Sequence, residues 1–214
     1  MRRAPFMITA TFSLVLLGML YTSLMEGDSY AYSTELISLF LLWIPPFLSW
    51  RRVVDVPWPI ILMIGVTLFL HSLGLVTLWY YSTFWWDKLT HFTTGIVVAA
   101  FVTMGLLIIM ENSKTIRVQP KWMIFFVFIA VVAVEVFWEI FEFTMDNTVG
   151  TDMQHSLEDT ANDILTNFIN GLLVGVGAAY YLSRHTLENF VKGLNVDRAV
   201  AWFRRNLTEP PPPG

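Results

Sequence analysis

Long stretches without a charged residue recur along this chain, and they restrict its possible folds more than any other feature. Several of them approach the roughly 20 apolar residues that an α-helix needs to cross a bilayer. Charged residues make up only 14% of the chain and hydrophobic residues 55%, whereas a soluble domain carries about 25% charged residues. We therefore expect an all-α fold, a polytopic helical bundle in a membrane.

The apolar stretches predict six membrane-spanning helices in one domain, residues 1–184. The expected spans cover residues 6–25, 34–50, 57–80, 87–110, 122–144 and 159–183. Pro45 and Pro46 are expected to kink or interrupt the second span, because proline removes a helical hydrogen bond. The aromatic stretch from Tyr80 to Trp86 is typical of a membrane interface.

Two further segments follow the last predicted span. Residues 185–207 carry apolar residues at helical spacing, among them Val191 and Leu194. This spacing predicts one amphipathic helix that lies on the cytoplasmic face of the membrane, with Gly193 as a point where it could break. Residues 208–214 are rich in proline, and we expect this tail to be disordered.

The basic residues collect on one side of the six-span arrangement. Every Lys and Arg except Lys88 lies near the N-terminus, in the loop at Arg51, in the loop from Lys114 to Lys121, or after the sixth span. The positive-inside rule therefore predicts a multi-pass protein of the cell membrane with both termini in the cytoplasm. Acidic loop residues such as Asp146 then face the extracytoplasmic side.

Three glutamates lie at the end of the fifth apolar stretch. Spacings of four and three residues place Glu135, Glu139 and Glu142 on one helix face. Residues 124–134, just before them, carry no charge. Each carboxylate in hydrocarbon costs a few kcal/mol or more, and the three repel one another. A metal ion, a cationic partner or protons must therefore neutralise them.

Two more polar faces are expected at the same, extracytoplasmic end of the bundle. Asp87 and His91 lie one turn apart at the start of the fourth span. The sixth span begins with a polar face that two glycines continue, and its residues are Asp159, Asp163, Asn167, Gly171 and Gly175. Glycines at this spacing let a neighbouring helix pack closely.

Together these faces predict a divalent-cation site that opens to the extracytoplasmic side. The predicted metal ligands are Asp87, His91, Glu135, Glu139, Glu142, Asp159 and Asp163. The chain has no cysteine, so its ligands are oxygen and imidazole, which suit Zn, Mn, Mg, Fe or Ca. Bridging carboxylates could hold two ions. Lys88 and Asn167 are expected around the ligands, and His155 in the next loop could join them.

Several of these residues also have simpler explanations. Asp87 and Asp159 could serve simply as N-terminal caps of their helices. Glu142 could simply reach water. Glu135 and Glu139 fit no such explanation, because negative charge is unfavourable in the C-terminal half of a helix. His71, alone in the third span, is expected to be packed or hydrogen-bonded.

These motifs resemble a known group of proteins. Asp87-Lys88-x-x-His91-Phe92, Trp138-Glu139-x-x-Glu142, and Gln154 followed by Asp159-Thr160-x-x-Asp163-x-x-x-Asn167-x-x-x-Gly171 are similar to motifs of small multi-span VanZ-like proteins. They look closer still to a related family of uncharacterised inner-membrane proteins. The resemblance covers about residues 85–176. It implies a multi-span helical protein, and it implies no particular activity.

Three functions from different classes fit the sequence. The first is a metal-dependent enzyme that acts on a lipid or lipid-linked substrate, with Glu142 or Glu139 as the catalytic base. The second is a cation or proton transporter with Glu135 and His71 along its path. The third is a structural or accessory subunit. Expected partners are membrane lipids and either other membrane subunits or further copies of the chain; the basic loops are too short to suggest nucleic-acid binding.

Overall fold

The computed structural model describes residues 3–113, 115–116, 118–154, 156–184 and 187–203. These residues form helices and no strand, which confirms the predicted all-α fold. The helices are α1 (Arg3–Glu26), α2 (Ser29–Trp50), α3 (Trp58–Val76), α4 (Trp79–Ser82), α5 (Trp86–Asn112), α6 (Pro120–Thr148), α7 (Leu157–Arg184), α8 (Leu187–Leu194) and α9 (Asp197–Phe203). Helices α1, α2, α3, α5, α6 and α7 are long and apolar enough to cross a membrane, as predicted.

Local signals in the sequence set several helix ends. Gly27, with φ of 73°, forms the turn between α1 and α2, and Asp28 caps α2 by accepting a hydrogen bond from the Ala31 amide at 2.9 Å. Pro120 begins α6, where its missing N–H breaks no helical bond. Leu78 has φ of 58° and separates α3 from α4, so the third span ends earlier than predicted.

Two details differ from the sequence-based expectations. Helix α2 continues through Pro45 and Pro46, which are both buried, so of the expected kink or interruption the interruption does not occur. Neighbouring helices make prolines tolerable in membrane spans. Trp86, expected at the membrane interface, is instead buried. It packs against Gly74, where an added Cβ would lie only 2.2 Å from the indole nitrogen.

The six long helices pack as two groups of three. Helices α1, α2 and α3 contact one another, as do α5, α6 and α7, and α3 packs against α5 to join the groups. Each group has its own apolar core, around Leu16 and Leu42 in the first and around Leu107, Met123 and Val127 in the second. Many large apolar side chains stay exposed on these helices, as expected for surfaces that face lipid.

The segment after α7 differs from the single interfacial helix that was predicted. It forms two helices, α8 and α9, separated at Asn195, which has φ of 53°. Val191, Leu194 and Val196 are buried in the core of the second group, and the Asp55 amide donates a hydrogen bond to the Leu194 carbonyl at 2.6 Å. These apolar side chains therefore pack on protein. The tail 208–214 lies outside the described residues.

Candidate functional site

Helices α5, α6 and α7 bring predicted ligands together at one end of the second group. Five of the seven form two sets of three whose ligand atoms lie within 4.8 Å of one another. The first set is Asp87, His91 and Asp163, and the second is His91, Glu135 and Glu139. His91 belongs to both sets, so the two possible ion positions share one imidazole.

His91 lies between two carboxylates. Its Nδ1 is 2.7 Å from Glu135 Oε1 and its Nε2 is 3.5 Å from Asp87 Oδ1. Both His91 and Glu135 are buried, at 8% and 7% exposure. Each ring nitrogen therefore has a carboxylate beside it, and a metal on one nitrogen would leave the other to donate a hydrogen bond that orients the ring.

Lys88 neutralises the other side of the site. Its Nζ forms a hydrogen-bonded ion pair with Asp159, and lies 3.3 Å from Asp87 Oδ2 and 3.6 Å from Asp163 Oδ1. Asp159, a predicted ligand, belongs to neither set of three among the described residues. Its position beside Lys88 makes it an ion-pair partner in this structure.

We call seven residues the acidic cluster: Asp87, Lys88, His91, Glu135, Glu139, Asp159 and Asp163. Five carboxylates face one lysine and one histidine. Even with both basic groups charged, three negative charges stay unbalanced when every carboxylate is ionised. The cluster therefore needs further positive charge, either as protons or as a cation.

Glu139 is the carboxylate with the least compensation. It is 5% exposed, and neither of its oxygens has a hydrogen-bond partner among the described residues. The Thr160 hydroxyl faces it from α7. A buried carboxylate left in this state is costly, and its oxygens are positioned together with His91 and Glu135.

Glu142 lies one turn beyond Glu139 and is only half-buried. It accepts a hydrogen bond from Trp138 Nε1 at 2.7 Å. It belongs to neither set of three within the described part of the chain, so the structure separates it from the other predicted ligands. Its partial exposure agrees with the simpler explanation that it reaches water.

Two asparagines of α7 close the inner side of the site. Asn170 Nδ2 donates to the Phe92 carbonyl at 2.9 Å and to Asn167 Oδ1 at 3.2 Å. Both side chains lie against Gly95, where an added Cβ would come within 1.9 Å of Asn167 Oδ1. Sequence reasoning missed Asn170, although its spacing of three from Asn167 was a usable signal.

The loop between α6 and α7 is held by Asp146. Its carboxylate accepts hydrogen bonds from the amides of Met153 and Gln154 at 2.9 and 2.8 Å, and from the Thr151 hydroxyl at 2.6 Å. Gln154 Nε2 then donates to the Thr160 hydroxyl at 2.9 Å, which ties the loop to the start of α7. His155, proposed from sequence as a further ligand, lies outside the described residues.

A cavity of about 610 Å³ adjoins the acidic cluster. Its wall is largely apolar and is contributed by α2, α3, α5 and α6, with Asn167 of α7 and Met153 of the loop. His91 and Glu135 also form part of this wall. The site therefore faces a largely apolar space between the spans.

A second polar pair, Glu35 and Ser72, lies in the first helix group. Sequence reasoning missed it. Glu35 of α2 is fully buried, and neither of its oxygens nor the hydroxyl of nearby Ser72 forms a hydrogen bond among the described residues. A carboxylate inside an apolar stretch was the signal that could have identified Glu35. Glu35 belongs to neither of the two sets of three among the described residues, so it is not part of the cation site.

His71 is hydrogen-bonded, as expected for a lone histidine. Its Nδ1 lies 2.5 Å from the Tyr80 hydroxyl. Burial raises the pKa of Tyr80 above its ordinary value, so the phenol keeps its proton at neutral pH and can donate it to Nδ1. His71 also lines the cavity.

Comparisons with known proteins bear on the class of protein but not on the site. Residues 7–184 match a family model described as "Predicted membrane protein (DUF2238)". An uncharacterised protein of Thermotoga maritima is 27% identical over 141 residues, which cover 63% of this chain and 71% of the relative. No solved structure matches the chain. The resemblance to VanZ-like proteins has no support from these matches.

Proposed function

We propose a function for this chain, which belongs to the DUF2238 family of predicted membrane proteins. It binds a divalent cation through His91, Glu135 and Glu139, and uses that cation in a reaction on a membrane lipid or lipid-linked substrate. The observation that carries the proposal is Glu139, whose buried oxygens have no hydrogen-bond partner in the described structure and lie beside His91 and Glu135.

The position of Lys88 makes the second set of three a more favourable cation site than the first set. The lysine lies beside Asp87 and Asp163, and its positive charge opposes a cation at the first set. At the second set, His91 Nδ1 would offer its lone pair while Nε2–H faces Asp87 Oδ1 at 3.5 Å. Asp87 thus acts as the carboxylate that orients the ligating histidine.

Three protein ligands leave coordination positions open for water or substrate, as in catalytic metal sites. The cation would supply Lewis-acid activation of a water or of a substrate oxygen. Glu142, one turn outward and outside the ligand set, would act as a general base. Of the two predicted bases, we therefore assign Glu142 to proton transfer and Glu139 to cation binding. The imidazole favours Zn or Fe over Mg and Ca, and the two carboxylates also suit Mn.

The positive-inside rule supports an orientation in which both termini are cytoplasmic and the site opens to the extracytoplasmic side of the cell membrane. Toward the other end of the second group, α5 and α6 are packed by an apolar core that includes Met104, Leu107, Met123 and Val127. This core argues against a polar path through the bundle. An enzyme open to one side fits these features better than a transporter does.

A structural role is the second candidate, and a specific observation favours it. Lys88 and His91 already pair with carboxylates from all three helices of the second group. Such a network could serve only to hold α5, α6 and α7 together in an accessory subunit. In that case Glu139 carries a proton, and the protein binds no metal.

Metal analysis of the purified protein separates these two functions. The wild-type chain is saturated with Zn²⁺ or Mn²⁺ and freed of excess metal, and should retain about one ion. Glu139→Gln should bind the ion at least about 100-fold more weakly, because even the loss of a group that only orients a ligand lowers metal affinity by about 10–100-fold. Asp87→Asn should weaken binding by about 10–100-fold, and Glu142→Gln should keep the ion.

The matched control is Glu158→Gln, which changes an exposed carboxylate at the start of α7 and should leave binding unchanged. A wild-type protein that is fully folded yet binds neither ion would overturn the cation site and leave the structural role. Equal losses in Glu139→Gln and Glu158→Gln would show that net charge alone attracts the ion.

A further inference from the structure

The cavity beside the acidic cluster has the size of a ligand site. Its volume of about 610 Å³ falls inside the range of roughly 300–1,000 Å³ that is typical of pockets for small molecules. It lies in the cleft between the two helix groups, with α2 on one side and α6 on the other, and with α3 and α5 behind them. Small-molecule pockets commonly lie between the helices of a bundle and have largely apolar walls.

The rim of the cavity is formed by side chains that are both apolar and exposed. On α2 these are Ile37 and Leu41, at 58% and 41% exposure, and on α6 they are Val134 and Phe141, each at 45%. All four lie within membrane spans, where an exposed side chain faces lipid. The cavity therefore opens sideways, between α2 and α6, into the hydrocarbon layer.

The polar part of the wall is concentrated where the cavity meets the acidic cluster. His91 and Glu135 are shared between the cavity wall and the proposed cation ligands, and Asn167 lies on the same side. Val131 and Val98 line it near them. A molecule that fits has a long apolar portion and one polar group next to His91.

We infer that the cavity holds an acyl chain of a membrane phospholipid, which enters between α2 and α6 and places its polar end beside the cation ligands. The bilayer supplies this occupant directly at the exposed rim, and an apolar chain needs no hydrogen-bond partners there. The position of the polar end rests on the proposed function. Occupation of the cavity by the acyl chain does not rest on the proposed function. The acyl-chain site and the cation site can therefore fail separately.

Photo-crosslinking tests the occupant. The purified protein is reconstituted with phosphatidylglycerol that carries a diazirine in one acyl chain, and is irradiated and mapped by mass spectrometry. Adducts are expected on cavity-lining residues of α2 and α6. The double variant Ile37→Trp/Val134→Trp, which fills the rim, should lower these adducts by about tenfold, equivalent to about 1.4 kcal/mol of affinity.

The control is Leu36→Trp/Val136→Trp, which adds the same bulk to the same two helices at exposed positions that do not line the cavity. It should label like wild type. Val98→Phe fills the interior of the cavity, where the new ring cannot turn toward lipid, and should also lower labelling. Equal labelling of the rim and control variants would overturn the inference, as would lipid adducts found only on residues outside the cavity.

The Glu139→Gln variant distinguishes the two proposals. If this variant is still labelled by the acyl-chain diazirine in the cavity but has lost the metal, both proposals are supported. If the wild-type protein is labelled by the acyl-chain diazirine in the cavity but binds no metal, the acyl-chain site stands and the cation site is overturned. Metal binding without any lipid adduct in the cavity leaves the cation site and removes the acyl chain.

Discussion

At the scale of single residues, the acidic cluster shows how carboxylates are tolerated inside a membrane span. His91 and Lys88 take opposite sides of the cluster, the first beside Glu135 and the second beside Asp159 and Asp163. Glu139 is left between them without a hydrogen-bond partner in the described residues. An ionised carboxylate in such a place is stable only with a proton or a cation.

Replacing Lys88 by glutamine should therefore change stability and cation binding in opposite directions. The metal-free variant should unfold at a lower temperature, because three carboxylates lose their shared cation. Cation affinity should rise by about tenfold or more, since a unit charge about 10 Å from a divalent ion costs about 3 kcal/mol at an effective dielectric of 20 before screening.

Thermal unfolding and metal titration in one detergent measure both effects. Lys121→Gln, in the first turn of α6 at the opposite end of the bundle, is the control and should change neither quantity. If Lys88→Gln lowers stability and still shows no cation binding, Lys88 serves the structural network alone.

At the scale of helices, a glycine contact between α6 and α7 sets the register of the site. Gly171 meets Phe128, and Gly175 meets Ile124, with the added Cβ at either glycine 2.9 Å from the partner's Cα. The helices run antiparallel, so each step of four back along α7 matches four forward along α6. Eleven residues further along each helix, which is about three turns, the same register places Thr160 opposite Glu139, as observed.

Gly171→Ala should disturb this register. The methyl group would press on a backbone atom, which cannot turn away, and overpacking of this kind costs about 1–3 kcal/mol. The control, Gly177→Ala, lies on the same helix with nothing within 4 Å of its Cβ, and should be neutral or gain up to about 1 kcal/mol from helix propensity.

Unfolding midpoints in detergent compare these two variants, and metal titration shows whether the wider gap between α6 and α7 also weakens the cation site. Equal midpoints would mean that the helices separate freely, and that the glycine contact does not fix the position of Glu139.

At the scale of the whole molecule, the two groups of three helices leave a cleft that α3 and α5 close on one side. The acidic cluster belongs wholly to the second group, while the cavity needs both groups. Relative movement of the groups would therefore change the cavity more than the cluster. The α8–α9 segment packs on the second group at the opposite end from the cluster, through Leu194 and Met110.

The orientation in the membrane can be tested with single cysteines, because the chain has none of its own. Ser156→Cys, in the loop between α6 and α7, should react with a membrane-impermeant maleimide in intact cells. Gln119→Cys, in the loop between α5 and α6, should react only after permeabilisation. A reporter fused after Gly214 should be cytoplasmic.

The reverse labelling pattern would invert the predicted topology and place the cluster on the cytoplasmic side. Labelling of both cysteines in intact cells would contradict α6 as a membrane span.

Properties that depend on local sequence were predictable. Six spans follow from the length of the apolar stretches, and the shared faces of Glu135 with Glu139 and of Asp163 with Asn167 follow from the helical repeat. The close packing at Gly171 and Gly175 was also predicted, because small residues at this spacing allow helices to approach.

Only the tertiary structure decided which charges meet. Helix rotation and register depend on packing between residues far apart in the chain, and the residue pattern of a single helix does not specify them. Packing pairs Lys88 with Asp159, leaves Glu139 without a partner in the described structure, and moves Glu142 away from the other ligands. It also creates the cavity and buries Leu194, because both depend on how whole helices fit together.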